Sequence, residues 1–561
     1  MPSDLDRRFD KAMAETIAPG EPLAATRNAE GRMVIVGLPS TLPGFFRLFC
    51  AKHADAEAIV AGDERLSYAA IDGISERLAR VLVGSFGVRK GDRVGIAMPN
   101  SPSWIVTYMA ALKAGAIATL INGWWQPIEL EHALGLSEPM LVLADAERAR
   151  RIGQTGLPVR VVTLSIEQPV KAALAPLLDA GEEGDLPDIA PDDDATILFT
   201  SGSTGRAKGA VSTHAQVTMG VYTYLAYTSA LYRLLTEGGD TRNWAPSALI
   251  ALPTFHVTGE VPVMLNSFAI GRKMVLMRKW DAGEALRLIE REKVTYFVGV
   301  PTMSFELAQH PDRALYDTGS MADIVAGGAP RPVAHVPRLV EAFPGSNPMM
   351  GYGLTETNAV GCTNFRGNYI AKPSSTGPCH APFVELAILG EGDVHLPAGE
   401  QGEIGIRAAA NIRGYWRDPE ATRAAFTADG YFRTGDIGYL DEDGYLFIVD
   451  RAKDIIIRGG ENISCQEVEF AIYAHRHVAE VSVFGVPDER LGEVPGAVVR
   501  FEQGRSMAPS ELSRFLEGRL AKFKIPARLW FSDEPLPRLG TGKIDKVLLR
   551  RLYGKREGEE R

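Results

Sequence analysis

Thr200-Ser201-Gly202-Ser203-Thr204-Gly205-Arg206-Ala207-Lys208-Gly209 is the stretch on which the reading of this chain turns. It follows the apolar run Ala195-Thr196-Ile197-Leu198-Phe199, which predicts a short buried strand leading into a loop. Gly202 and Gly205 let the backbone turn tightly and bring N–H groups close to an anion. The hydroxyls of Thr200, Ser201, Ser203 and Thr204 and the ammonium of Lys208 add donors and positive charge, which suits a polyphosphate. The spacing is not that of the ordinary P-loop, because no Gly-Lys-Ser/Thr follows four residues after a glycine. Gly-x-Ser-x-Gly is also absent, so the turn is not a nucleophile elbow. Taken alone, a Ser/Thr/Gly loop is as readily a flexible turn, so the weight falls on its surroundings.

Outward from the loop, apolar strand-like runs alternate with helix-like amphipathic stretches. The runs at 93–98, 140–144, 195–200, 250–253, 274–277 and 295–300 read as buried strands, and 68–83 and 104–114 read as helices. This alternation predicts an α/β architecture with much parallel sheet. Residues 430–449, rich in Gly, Asp and Tyr, read as β-hairpins. Beyond Asp450 the pattern becomes mixed α+β, with helices at 467–474 and 509–520 and a strand at 480–486. The charged segment Asp450-Arg451-Ala452-Lys453-Asp454 reads either as a surface turn or as a domain boundary, the latter dividing the chain into 1–450 and 451–561.

The 561 residues exceed one ordinary core. Apolar residues make up 45% and charged residues 23%, which excludes disordered and fibrous classes. A net charge of −10 lacks the basic footprint of a nucleic-acid binder. Cys50, Cys362, Cys379 and Cys465 have no zinc-ligand spacing and read as free thiols of a reducing cytoplasm. The polar N-terminus shows no secretory signal, and no apolar run reaches the ~20 residues of a membrane span. GKREGEER at the C-terminus carries no lipidation or peroxisomal address. The expected location is cytoplasmic, and a homodimer is compatible with this reading.

T-S-G-S-T-G-x-x-K-G resembles the signature of the adenylate-forming superfamily: acyl-CoA synthetases, nonribosomal peptide adenylation domains and beetle luciferases. The family usually has proline where this chain has Ala207; Lys208 is retained. Further matching segments occur in the family's order along nearly the whole chain. The resemblance implies a large N-terminal domain of parallel-rich sheets flanked by helices, a β-barrel-like subdomain, and a small mobile α+β C-terminal domain.

The resemblance also implies roles. In Leu252-Pro253-Thr254-Phe255-His256-Val257-Thr258-Gly259, His256 would gate access to the acid's carboxylate. Gly328 and Ala329, in Ala326-Gly327-Gly328-Ala329-Pro330, would lie against adenine, where larger side chains would collide with the base. In Gly351-Tyr352-Gly353-Leu354-Thr355-Glu356-Thr357, Tyr352 offers a flat face to adenine and Thr355 a hydroxyl to the α-phosphate. Glu356, with the Thr200 hydroxyl, offers hard oxygens to Mg²⁺. Asp436, in Arg433-Thr434-Gly435-Asp436, can accept from two adjacent ribose hydroxyls, and Arg451 should reach the ribose as well. Lys453 occupies the hinge position, and Gly459 and Gly460 would let the arm of coenzyme A pass close to the backbone. Lys543, in Gly540-Thr541-Gly542-Lys543, would bridge the attacking carboxylate and the α-phosphate, whereas Lys546 is expected in solvent.

The implied reaction is ATP-dependent activation of a carboxylic acid as acyl-AMP, followed by transfer to coenzyme A. Between the steps the C-terminal domain would rotate at Lys453, withdrawing Lys543 and bringing in Gly459 and Gly460. One alternative is a stand-alone enzyme loading a separate carrier protein, since little chain follows Lys543. A luciferase-like oxygenase shares the fold. A non-enzymatic nucleotide-binding scaffold ranks below these because Lys208, Glu356 and Lys543 are all present. Residues near 221–227, 256–259, 300–305, Gly327 and 358–362 should line the acid pocket. They are mostly apolar, aromatic or small, which favours fatty or aryl-alkanoic acids over amino acids and dicarboxylates. The paired Trp124 and Trp125 read as core packing.

Overall fold

The structure, a computed structural model, describes residues 3–200, 207–239, 244–451, 454–459, 461–539 and 542–554. Two large sheets form the centre of the N-terminal part. One has seven strands in the spatial order Gly414–Tyr415, Lys208–Thr213, Asp194–Thr200, Ile117–Leu120, Arg93–Ala97, Leu141–Ala144 and Val161–Thr163. Its ladders from Asp194–Thr200 to Val161–Thr163 are parallel. The second has eight strands, and its six inner members, from Asn347–Gly353 to Glu57–Ala61, run parallel. Strands buried on both faces read as near-continuous apolar runs; Leu141–Ala144 is apolar and buried throughout. Helix Pro102–Lys113 is buried at every residue, so its sequence is apolar all round rather than amphipathic.

The hairpin-rich region forms a four-stranded antiparallel sheet, ordered Val384–Leu389, Gly402–Ala408, Phe432–Leu440 and Leu446–Arg451. This is the expected barrel-like part. A separate five-stranded sheet follows, built on the long hairpin Val478–Asp488 and Gly492–Phe501, with its own apolar cluster around Ile472, Val483 and Leu512.

Most elements lie where the pattern puts them, including helices Tyr68–Gly84, Pro102–Lys113 and Cys465–Tyr473. Two boundaries move. The strand expected at 250–253 is Ser247–Ile250, and the helix expected at 509–520 ends at Leu516. Pro253 has no N–H to offer a ladder, so the apolar residues from Ala251 onward form a connector toward the site. The four cysteines are free thiols. Among the described residues no helix is long and apolar enough to cross a membrane.

Candidate functional site

The Ser/Thr/Gly stretch lies between two strands of a hairpin. Asp194–Thr200 pairs antiparallel with Lys208–Thr213, and the last ladder pair sets Thr200 opposite Lys208. Ser201, Gly202, Ser203, Thr204 and Gly205 lie outside the described residues. The hairpin is buttressed by groups that no motif signals. His132 Nε2 donates to the Ala207 carbonyl at 2.8 Å. Trp125 meets Phe199 edge-on at 5.4 Å, which gives one of the paired tryptophans its packing role. Trp124 lies under the Arg148 guanidinium at 5.4 Å.

Lys208 reaches toward the second motif through an unforeseen intermediary. Its ammonium sits 4.9 Å over the ring of Tyr415, whose hydroxyl donates to Glu356 Oε1 at 2.9 Å. Glu356 is nine-tenths buried, and burial raises its pKa. It lies in the short turn Thr355–Thr357, after which Asn358 and Ala359 take φ values of 48° and 65°. Such a conformation costs about 1 kcal/mol or more at Ala359. Asn358 anchors the turn by donating to the Ala410 carbonyl at 2.7 Å and Ser212 Oγ at 2.9 Å.

Glu356 with the Thr200 hydroxyl fits Mg²⁺ by donor chemistry. Both are hard oxygens, and the ion commonly takes one or two carboxylates and completes its shell with substrate phosphates and water.

Asp436 is buried and accepts the Tyr352 hydroxyl on Oδ2 at 2.7 Å. Arg451 Nε lies 3.2 Å from its Oδ1. A carboxylate has about four lone-pair directions, so acceptor capacity remains for a ribose diol. Asp436 and Arg451 face each other across one hairpin, and Tyr352, 84 positions before Asp436, joins them in one connected group. Gly351 has room around it, since a β-carbon there would come no closer than 3.9 Å to other atoms. At Gly353 a β-carbon would lie 2.1 Å from the Ala359 carbonyl oxygen, so this glycine is needed by the fold itself.

Lys543 closes the site from the C-terminal part. A β-carbon at Gly328, which has φ +74°, would lie 3.2 Å from Lys543 Cε and 3.5 Å from its Nζ. Burial and the Arg451 charge lower the Lys543 pKa to about 8, opposed by Asp436. His256 is half-buried beside it, and burial together with the Lys543 charge lowers its pKa to about 4. A neutral imidazole therefore faces the ammonium at neutral pH. Ala329 is half-buried next to Gly328, and Thr355 is half-buried beside Glu356.

Other expected residues lie elsewhere. Gly459, with φ +59°, sits in the C-terminal hairpin and donates to the Leu491 carbonyl at 2.8 Å. Lys453 and Gly460 lie outside the described residues. Lys546 is not in solvent as expected. It pairs with Glu469 at 3.0 Å, and nearby Cys465, Asp454 and Asp450 also raise its pKa against the opposing effect of burial. Of the segment 300–305 assigned to the acid pocket, Thr302 instead accepts from Arg538, and Phe305 stacks on His335 at 3.9 Å.

Residues 46–416 match the AMP-binding enzyme model, and residues 467–543 match the AMP-binding enzyme C-terminal domain. The chain belongs to the AMP-binding enzyme family. Within it, the chain is 36% identical over 502 residues to a feruloyl-CoA synthase of Amycolatopsis sp, covering 89% of this chain and 96% of that protein. A long-chain-fatty-acid–CoA ligase of Bacillus subtilis is 34% identical, over 91% of this chain and 94% of its own. Among solved structures, ATP-bound MatB from Rhodopseudomonas palustris superposes with a TM-score of 0.79 at 30% identity, covering 91% of this chain and 99% of that one. The o-succinylbenzoate CoA synthetase of Bacillus subtilis, in complex with its acyl-adenylate, gives 0.77 at 28% identity, covering 92% and 99%. The expected superfamily and α/β fold class are thus those of the molecule, with parallel-rich N-terminal sheets and a smaller C-terminal domain.

Proposed function

We propose that the chain is an AMP-forming acid–CoA ligase whose acid is apolar at its far end, of fatty or aryl-alkanoic type. The observation that carries this reading is the approach of Lys543, from the C-terminal part, to the Gly328 turn of the N-terminal part. A mobile cation at that point is what two mutually repelling anions, a carboxylate and an α-phosphate, require in order to meet. The relative named as a long-chain-fatty-acid–CoA ligase supports an apolar acid, and that one and the feruloyl-CoA synthase both support coenzyme A as the acceptor.

In the first step the carboxylate oxygen attacks the α-phosphorus and pyrophosphate leaves, giving acyl-AMP. The Lys543 ammonium would lie between the two anions and follow the charge as it moves. Lys208 and the hydroxyls of the 200–204 turn would hold the departing phosphates. Asp436 and Arg451 would orient the ribose, and Tyr352, Gly328 and Ala329 the base. Mg²⁺ held by Glu356 and Thr200 would supply charge neutralisation at the phosphates. In the second step the thiol of coenzyme A attacks the acyl carbonyl, AMP leaves, and one proton is released. That step would use a rotated C-terminal domain, 451–561, turning at Lys453 on the N-terminal domain 1–450 and bringing Gly459 and Gly460 inward.

The pocket reading rests on Tyr224 and Tyr227, whose hydroxyls are already bonded to backbone. Tyr224 donates to the Ala359 carbonyl at 2.5 Å and Tyr227 to that of Cys379 at 3.1 Å. The hydroxyl protons of both are thus committed to backbone and leave no free donor for the far end of an acid. The test is to supply ATP, Mg²⁺ and coenzyme A with a panel of acids and to measure AMP and acyl-CoA. The reading expects fatty or aryl-alkanoic acids to yield both products. Activity confined to dicarboxylates or amino acids would defeat the substrate assignment. Acyl-AMP formation without thioester would point to a carrier protein as acceptor.

A further inference from the structure

Helix Pro301–Gln309 turns one face toward the C-terminal part of the molecule. Thr302, Phe305, Glu306 and Gln309 recur at helical spacing along that face, and each makes or supports a contact across the divide. Phe305 stacks on His335, whose ring meets Tyr473 at 5.4 Å. Gln309 Nε2 donates to Glu502 at 3.4 Å. Thr302 and Glu306 both face a single side chain, Arg538.

Arg538 stands at the base of the turn that carries Lys543. Leu539 N donates to the Lys543 carbonyl at 2.7 Å, Asp545 N to that of Pro537 at 2.7 Å, and Arg538 bridges Ile544 across the turn. Arg538 Nη1 donates to the Gly542 carbonyl and to Thr302 Oγ1, each at 2.8 Å. Its Nη2 hydrogen-bonds Glu480 and lies 3.7 Å from Glu306. Glu480 is buried and also accepts from Arg500 at 2.8 Å and Leu536 N at 2.9 Å. A β-carbon at Gly542 would lie 3.2 Å from Val300 Cγ2, so the turn rests directly against the start of the helix.

We propose that Arg538 is a positioning residue that fixes Lys543 in the adenylation arrangement, gripping Glu480 of its own domain with one arm of the guanidinium and Thr302 of the N-terminal domain with the other. The inference rests on the acid–ligase reading and goes beyond it. The bonds to Glu480 and Gly542 lie within the C-terminal domain and persist wherever that domain goes. The bond to Thr302 exists only when Lys543 is seated. The planar fork matters, since one ammonium could not serve both partners in these directions.

The test separates the half-reactions in the full-length enzyme: ATP–pyrophosphate exchange with a competent acid, and thioester formation from a chemically prepared acyl-adenylate plus coenzyme A. Thr302→Val, which leaves the Glu480 network whole, should slow exchange about tenfold, as expected for loss of a hydrogen bond to a charged group. Arg538→Lys should slow it further. Thioester formation should stay within about twofold of the unsubstituted enzyme or rise in both variants. Thermal melts would identify a variant that fails to fold, and Thr302→Val keeps the test sound if Arg538→Lys does. Exchange unaffected in both variants, or both half-reactions slowed alike, would overturn the inference while leaving the ligase reading intact. Failure of the unsubstituted enzyme in both assays would overturn the two together.

Discussion

Lys543 enters the site as an ammonium from which burial has removed much of its hydration. With its pKa lowered to about 8, it is charged at neutral pH and loses its proton as pH rises through that value. The protonated form is the one the proposed first step needs. Adenylation measured as kcat/KM by pyrophosphate exchange should therefore fall about tenfold per unit above pH ~8. Lys543→Ala should lower exchange by about 10²–10³-fold, the scale for losing one preorganised electrostatic group, and should abolish this alkaline limb. Tyr415 invites a finer experiment because its two contacts are separable. Tyr415→Phe keeps the ring beneath Lys208 and removes the hydroxyl from Glu356. The Mg²⁺ concentration for half-maximal exchange should rise about 3–10-fold, with thioester formation from preformed adenylate unchanged. Tyr415→Leu should do more, since it also removes the cation–ring contact. An unaltered Mg²⁺ requirement in both variants would count against this role.

Strand Asn347–Gly353 has two glycines, two positions apart, with opposite surroundings. Gly353→Ala would set a β-carbon against the Ala359 carbonyl, and neither backbone can move without breaking the turn that carries Glu356. The apparent melting temperature should drop by about 5 °C or more. Gly351→Ala meets nothing closer than 3.9 Å, so it should melt like the parent enzyme. If a bound nucleotide approaches the space beside Gly351, the effect should appear as weaker ATP binding by calorimetry, and unchanged affinity would show that it does not. The elements themselves were largely legible because strand and helix periodicities are local properties. What links them was not. The Tyr415–Glu356 bond spans 59 positions and the Arg538–Thr302 bond 236, and no periodicity encodes such pairings. Lys546 was misread for the same reason, since its acidic partners come from the helix Cys465–Tyr473 and the segment before it.

At the scale of the molecule, the two parts meet through contacts that are largely polar or aromatic, among them Arg538 on Thr302 and beside Glu306, Gln309 on Glu502, and Tyr473 against His335, with the Gly542 turn against Val300. Interfaces of this polar kind allow domains to move as units, and the residues between them absorb the rotation. The charged segment at 450–454 is where the sequence leads one to expect the divide, but no local pattern could say which arrangement the two parts adopt. The seating of Lys543 at Gly328 is that of the proposed first step, so the second should require the small domain to turn. Lys453→Pro tests this without touching either chemistry. Proline holds φ near −65° and restricts the residue before it, so a backbone rotation at this position is blocked. Pyrophosphate exchange should stay within about threefold of the parent, because the starting arrangement is retained. Thioester formation should fall about tenfold or more, with acyl-AMP accumulating in single turnovers sampled by rapid quench. Equal loss in both half-reactions would mean that the hinge lies elsewhere or that no rotation separates the steps.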